Sequence, residues 1–405
     1  MNKKISLGAV IALMAITAAI TVSITYTVAM KVFNQRVYSV AERQNMYNKI
    51  SEIDQKMRQN YLGTIDEEQL RTVLAEGYVS GIGDEYCRYL TAEEYNAELE
   101  EENGISYGIG IEVNKTLEGN ILIYSVNENS PAAKAGVKAG DIITRVGSDK
   151  VSVMGYSEAV AQLSSVSESK AVFTVRRSGE ELSFEITKAK YERVDVSFRA
   201  IDKVGYIYIR RFSANTCDQF ENAISELIGL GCQGFVFDVR DNSGGQLSSV
   251  CEVLDALLPT GSLVRTTDKA GNVTEDYISD AKELAMPMVV IVNEETASAA
   301  ELFAATLRDR KEVKLVGSQT VGKGTLQKNF PLSDGSAVSI TVATFAPPIS
   351  DSFDKVGLVP DFPVQMTETG GSFHLLDENT DNQLSTAISV LKYSLPEEPT
   401  EQTAQ

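Results

Sequence analysis

The chain has 405 residues, of which 43% are hydrophobic, enough to bury more than one core and to form two or three domains. Its formal net charge of −19 excludes nucleic acid and anionic lipid surfaces as natural partners. A single histidine, His374, lies in a polar C-terminal stretch, which argues against histidine-based acid–base catalysis.

At the N-terminus, Asn2-Lys-Lys4 precedes an uncharged run from Ile5 to Met30, long enough to cross a bilayer. Thr27-Val-Ala29 is a weak cleavage site, so a retained anchor is expected rather than a removed signal peptide. The lysines orient the N-terminus inwards, placing the rest of the chain outside the cytoplasmic membrane. Residues 31–103 read as charged helices, with amphipathic segments from Met46 to Tyr61 and from Asp66 to Gly77.

Next come Tyr107-Gly-Ile-Gly-Ile-Glu-Val113, a strand-like Asn120–Val126, Ser130-Pro-Ala-Ala-Lys-Ala-Gly136 and Ala139-Gly-Asp-Ile-Ile-Thr-Arg-Val-Gly147. This pattern resembles a PDZ domain of the bacterial protease type, spanning residues 104–190. Gly108 and Gly110 let the loop turn its amides towards a chain-terminal carboxylate, and the strand through Val113 can pair with a peptide. Tyr107, Gly108, Ile109, Gly110 and Ile111 are therefore the expected substrate-binding residues, with a preference for apolar C-termini. The helix Tyr156–Leu163 forms the other wall.

Three segments then carry chemistry. Gly234–Arg240 is β-branched and aromatic, as in a strand; Asp241-Asn-Ser-Gly-Gly-Gln246 is a turn; Leu247–Leu258 is a helix. Asp238, Asp241 and Asn242 are explained by turn formation, and no metal site is expected. Met286–Asn293 is a buried strand, and Ser298–Arg308 a helix, so Ser298 falls at a strand-to-helix turn where bare amides favour negative charge. By itself the segment favours a plain helix cap, by Thr296 or Ser298. Lys323 follows 25 residues later in Val321-Gly-Lys-Gly-Thr-Leu-Gln327, with Gln327 neutral and able to orient an amine. Gly317 and Gly322-Lys323 also have the spacing of a phosphate loop. Gly324 stands where that loop needs Ser or Thr, and Thr325–Pro331 alternates like a strand, so no nucleotide cofactor is expected.

Cys87, Cys217, Cys232 and Cys251 lack metal-ligand spacing; a Cys232–Cys251 bridge and buried free thiols both remain open. Asp381 to Tyr393 reads as a last helix, and the chain from about Pro396 has a disordered composition.

Together, Asp238-Val-Arg-Asp-Asn-Ser-Gly-Gly245, Glu294-Glu-Thr-Ala-Ser-Ala-Ala-Glu-Leu-Phe303 and Val321–Gln327 resemble the C-terminal processing peptidases, from about Ile50 to Val364. The resemblance implies Ser298 as nucleophile, Lys323 as general base, Gln327 as its positioning residue, and amides of Gly244, Gly245 and Ala299 as the oxyanion hole. It implies a multidomain α/β fold, with a crotonase-like α/β peptidase core, an inserted or preceding PDZ β-domain, and an N-terminal helical region after a single transmembrane helix. Ser243 stands where the family usually has proline, Ala300 where serine is common and Glu85 where proline is frequent. Phe345–Phe353 also departs from the family pattern. The expected organisation is an anchor at 1–30, helices at 31–103, PDZ at 104–190, peptidase core at 191–368 and a C-terminal helix with tail at 369–405. The expected protein is a bacterial, membrane-anchored, extracytoplasmic serine endopeptidase, without cofactor, acting on protein C-termini and paired as a homodimer. The competing expectation is an inactive, anchored PDZ adaptor.

Overall fold

The computed structural model describes residues 7–165, 168–275, 277–367 and 372–393. The tail from Pro396 and the polar stretch before Ser372 lie outside them.

Residues 1–75 and 76–405 form two compact units. The first contains the helix Leu7–Asn60 and the start of the helix Glu67–Ser80. Arg58 pairs with Asp54 one turn back and with Glu67 across the turn, an exposed clasp worth little by itself. Below it, Ile50, Ile53, Met57, Leu70 and Val73 line an apolar cleft. Among the described residues no helix is long and apolar enough to cross a membrane. The expected anchor falls partly on residues 1–6, and on several side chains between 7 and 19, that lie outside the description.

The second unit is built on a six-stranded sheet in the order Val196–Ile201, Val204–Ile209, Gly234–Asp238, Met288–Val292, Lys314–Gly317, Phe362–Pro363. The first pair is antiparallel and the rest are parallel. Gly234–Asp238 and Met288–Val292 are wholly buried, as parallel strands covered on both faces must be. One face packs the helices Thr216–Gly229, Leu247–Asp255 and Ala299–Lys311 through Phe220, Phe235, Phe237 and Phe303. The other packs the helix Asn382–Lys392 through Leu384, Ala387 and Leu391. Arg240, 1% exposed, ties that last helix to the sheet through Asp238 and Asp381 at 2.5 and 2.8 Å.

A five-stranded antiparallel sheet holds Arg88–Leu90, Thr325–Pro331 and Ala337–Ala346. Sequence reasoning leaves Arg88–Leu90 within the charged helices of residues 31–103; its partners, Ala337–Ser339, are some 250 residues away, and no local pattern announces such a pairing.

Residues 111–187 form a separate antiparallel sheet around Ile121, Ile123, Ile143, Phe173 and Val175. The strand Ile111–Lys115 lies at its edge, paired on one side with Ile121–Val126. The segments entering and leaving this sheet, Ile105–Gly108 and Ala189–Glu192, pair with each other. Gly110 is required where it stands: a Cβ there would come within 2.1 Å of Ser130 Cβ, and its φ is +78°.

All four cysteines are unpaired, which decides between the two alternatives for Cys232 and Cys251. Both are buried, and burial pushes the Cys251 thiol up to about 12.

Candidate active site

Two strand-turn-helix units of the central sheet build the site. The strand Gly234–Asp238 ends in Asp241–Gln246, and Met288–Val292 ends in Asn293–Ser298. The two turns are stitched together. Asn293 Nδ2 donates to Asp241 Oδ1 at 2.6 Å, Thr296 Oγ1 to the Val239 carbonyl at 2.8 Å, and Ala297 N to the Asn242 carbonyl at 2.9 Å. Asp238 is held by Arg240, and Asn242 Nδ2 donates to the Ile209 carbonyl at 2.9 Å.

Ser298 immediately precedes the helix Ala299–Lys311 with φ +57° and ψ −118°, a conformation that costs a non-glycine residue on the order of 1–3 kcal/mol. Sharp strand-to-helix turns of this kind thrust a side chain out of the fold. Gly244 lies directly against it: a Cβ on Gly244 would fall 2.9 Å from Ser298 Cβ.

Of the three expected oxyanion amides, that of Gly244 is engaged within its own turn. Its N–H donates to Asn242 Oδ1 at 2.8 Å, bracing the turn from within. Gly245 lines the cavity beside Ser298, held on Phe212 by a hydrogen bond from Gln246 N at 2.8 Å. Ala299 opens the helix, where a first-turn amide has no intrahelical acceptor.

Lys323, Gln327, Ser298, Gly245 and Ser243 share one cavity of about 570 Å³. Lys323 Nζ lies over the Tyr86 ring, 4.7 Å from its centroid. Burial lowers its pKa below the ordinary lysine value, Arg88 and Arg211 add to the drop, and Glu98 opposes it. Gln327 Nε2 donates to Thr325 Oγ1 at 3.0 Å and Thr341 Oγ1 at 3.1 Å, which fixes the amide. Thr325–Pro331 is a strand, so Gly317–Lys323 opens no helix of the kind a phosphate loop requires.

One functional residue escaped the sequence. Glu301, in the first turn of the helix and fully buried, accepts from Ser298 N and Lys323 N at 2.9 Å each, from Gly322 N at 2.7 Å and from Thr320 Oγ1 at 2.5 Å. One carboxylate thus fixes the backbones of both serine and lysine. A glutamate three residues after a serine at a helix start is the signal that points to it. Tyr86, Arg88 and Arg211 on the cavity wall carried no such signal.

His374 is far from unsupported: it stacks on Tyr124 at 4.4 Å and meets Tyr208 edge-on at 4.8 Å. Burial, aided by Arg210 and Arg240, pushes its pKa down to about 3, so it is neutral. It joins the inserted sheet to the core as a packing element.

The groove of the inserted sheet lies between Ile111–Lys115 and the helix Tyr156–Ser164, about 180 Å³, and contains all five expected residues, Tyr107 to Ile111, with Val160 and Leu163 opposite. Across the strand, Glu112 pairs with Arg210 of the core.

Residues 203–364 match peptidase family S41, and residues 108–187 match the PDZ domain. The chain is 29% identical over 355 residues to a probable CtpA-like serine protease of Staphylococcus aureus (strain COL), covering 86% of this chain and 70% of that one. It is 29% identical over 334 residues to a carboxy-terminal-processing protease of Bartonella bacilliformis, covering 80% and 76%. A solved S41 protease structure from Bacteroides fragilis, described as putative, aligns over 85% of this chain and 97% of its own with a TM-score of 0.58. At 19% identity that likeness is one of fold.

Proposed function

For a chain that is a serine-type peptidase of family S41 with a PDZ domain, we propose a Ser298–Lys323 dyad that cleaves proteins near their C-termini. The observation that carries this reading is the shared cavity: Ser298, Lys323 and Gln327 line it together, with Gly245 beside them. Lys323 in its free-amine form leaves the Tyr86 ring as substrate enters and takes the Ser298 hydroxyl proton. Oγ attacks the scissile carbonyl, and the amides of Gly245 and Ala299 receive the developing oxyanion. The protonated lysine returns its proton to the leaving amine, and water then resolves the acyl-enzyme with the same lysine as base. Gln327, held by two threonine hydroxyls, orients the amine.

The PDZ groove recruits substrate tails by strand addition to Ile111–Lys115, with apolar C-termini favoured by Ile111, Val113, Val160 and Leu163. The sequence from Asn2 to Met30 supports a single N-terminal membrane anchor with the catalytic part outside the cytoplasm, and the amphipathic N-terminal helices support a homodimer.

The test uses the full chain in detergent micelles with an unfolded protein ending in apolar residues. Wild type cleaves near the C-terminus, while Ser298→Ala and Lys323→Ala fall by at least a thousandfold and Gln327→Ala by less. Tail binding without cleavage by wild type, or full activity in Lys323→Ala, would defeat the assignment.

A further inference from the structure

Arg211 stands half-buried on the wall of the Ser298 cavity, where its one effect described so far is to help lower the Lys323 pKa. Its backbone is rooted beside the oxyanion loop: Thr216 Oγ1 donates to the Arg211 carbonyl at 2.9 Å, and the next residue, Phe212, supports Gly245. Two other charges on that wall satisfy each other. Arg88 pairs with Glu98 at 2.7 Å, and Glu98 also accepts from Asn329 at 3.1 Å. Among the described residues the Arg211 guanidinium forms no hydrogen bond or ion pair, although Glu102 and Lys323 both feel its charge. Glu102 forms no ion pair with it; burial and Glu98 raise that carboxyl's pKa, while a hydrogen bond to Gln246 and the Arg211 charge lower it. A guanidinium offers five donors in a planar fork that fits a carboxylate through two parallel hydrogen bonds. Leaving that fork empty on a partly desolvated wall is costly unless substrate fills it.

We propose that Arg211 is a carboxylate-binding subsite of the peptidase site, gripping the substrate's terminal α-carboxylate or an Asp or Glu side chain near the scissile bond. The inference rests on the Ser298–Lys323 reading and names the substrate chemistry of that site. It also separates two recognition events: the PDZ groove gathers a tail, and Arg211 sets where along it the cut falls.

The test measures kcat/KM of the full chain on three short peptides of one apolar sequence. The first has a free C-terminal acid, the second is amidated, and the third is amidated with an Asp near its end. Wild type is expected to prefer at least one carboxylate-bearing peptide over the plain amide by roughly tenfold or more. That ratio falls towards one in Arg211→Gln and is partly kept in Arg211→Lys. Because the ratio is taken within each enzyme, a variant that folds incompletely still reports it. A preference for the free acid identifies the α-carboxylate; a preference for the Asp peptide alone identifies a side chain. Equal cleavage of all three by wild type, or an undiminished ratio in Arg211→Gln, overturns the subsite. Cleavage of none of them defeats the dyad itself.

Discussion

Lys323 can act as a base only as the free amine, and its surroundings bear directly on that form. Desolvation leads, and the cations Arg88 and Arg211 outweigh Glu98. Since the folded enzyme holds this lysine below its ordinary value, activity should rise with pH through a midpoint below that of a free lysine, about 10.4. Arg88→Gln removes a cation and releases Glu98 from its partner; both changes favour the ammonium, so the acidic limb of kcat should move to higher pH. A pH–rate profile of the variant beside wild type measures the shift, and an unchanged limb would remove Lys323 as the titrating base. Glu301 acts by placement. Glu301→Gln substitutes an amide for the carboxylate that accepts four donors, loosening the serine and lysine backbones together. We expect kcat to fall by about two orders of magnitude with a smaller change in KM, the cost typical of a misplaced catalytic group. Steady-state kinetics on one peptide separates the two.

The elements that present these residues owe their precision to close backbone approach. A Cβ on Gly245 would come within 2.0 Å of the Phe212 carbonyl oxygen, and the residue holds φ +138°. Gly245→Ala must therefore push the Asp241–Gln246 turn, the proposed oxyanion loop, away from Phe212. Activity should drop by about a hundredfold or more, as when an oxyanion donor is lost, while circular dichroism still reports a folded protein. The strand-turn-helix units themselves were legible in the sequence: Gly234–Asp238, Leu247–Asp255, Met288–Val292 and Ala299–Lys311 all fall within or close to the spans that hydrophobic patterning marks. So was the strand Thr325–Pro331, which disposed of the phosphate-loop alternative. What patterning could not supply was anything requiring a distant partner. Tyr86 and Arg88 reach the cavity only because Arg88–Leu90 pairs with Ala337–Ser339. The hydrogen bond from the Gly244 amide to Asn242 is equally absent from any sequence pattern. His374 sits in a polar run without visible support until Tyr124 and Tyr208 close on it.

At the scale of the whole molecule, that histidine makes the joint between the inserted sheet and the core sensitive to acid. Its folded pKa is depressed to about 3, so below the unfolded value, about 6.5, the unfolded chain binds the proton and the native one does not. The contribution is complete above that value and is lost as pH falls from 6.5 towards 3, by up to about 1.4 kcal/mol per unit. Thermal unfolding at pH 7 and pH 5 should show His374→Phe losing less stability than wild type; equal losses would mean that the histidine is already protonated in the native state. Two further contacts, Glu112–Arg210 and Arg210–Ser125 at 3.3 Å, cross the same joint. The inserted sheet itself leaves the core through one narrow doorway, where Ile105–Gly108 runs beside Ala189–Glu192 and Arg193 N donates to the Gly104 carbonyl at 2.8 Å. A module whose two ends depart side by side is interchangeable. A short turn joining Gly104 to Arg193 would close the host chain over the gap, and another recognition module could be spliced at the same point without altering the strands that carry Ser298 and Lys323. On the proposed reading, the recruitment of a tail and the breaking of its bond are thereby free to diverge separately.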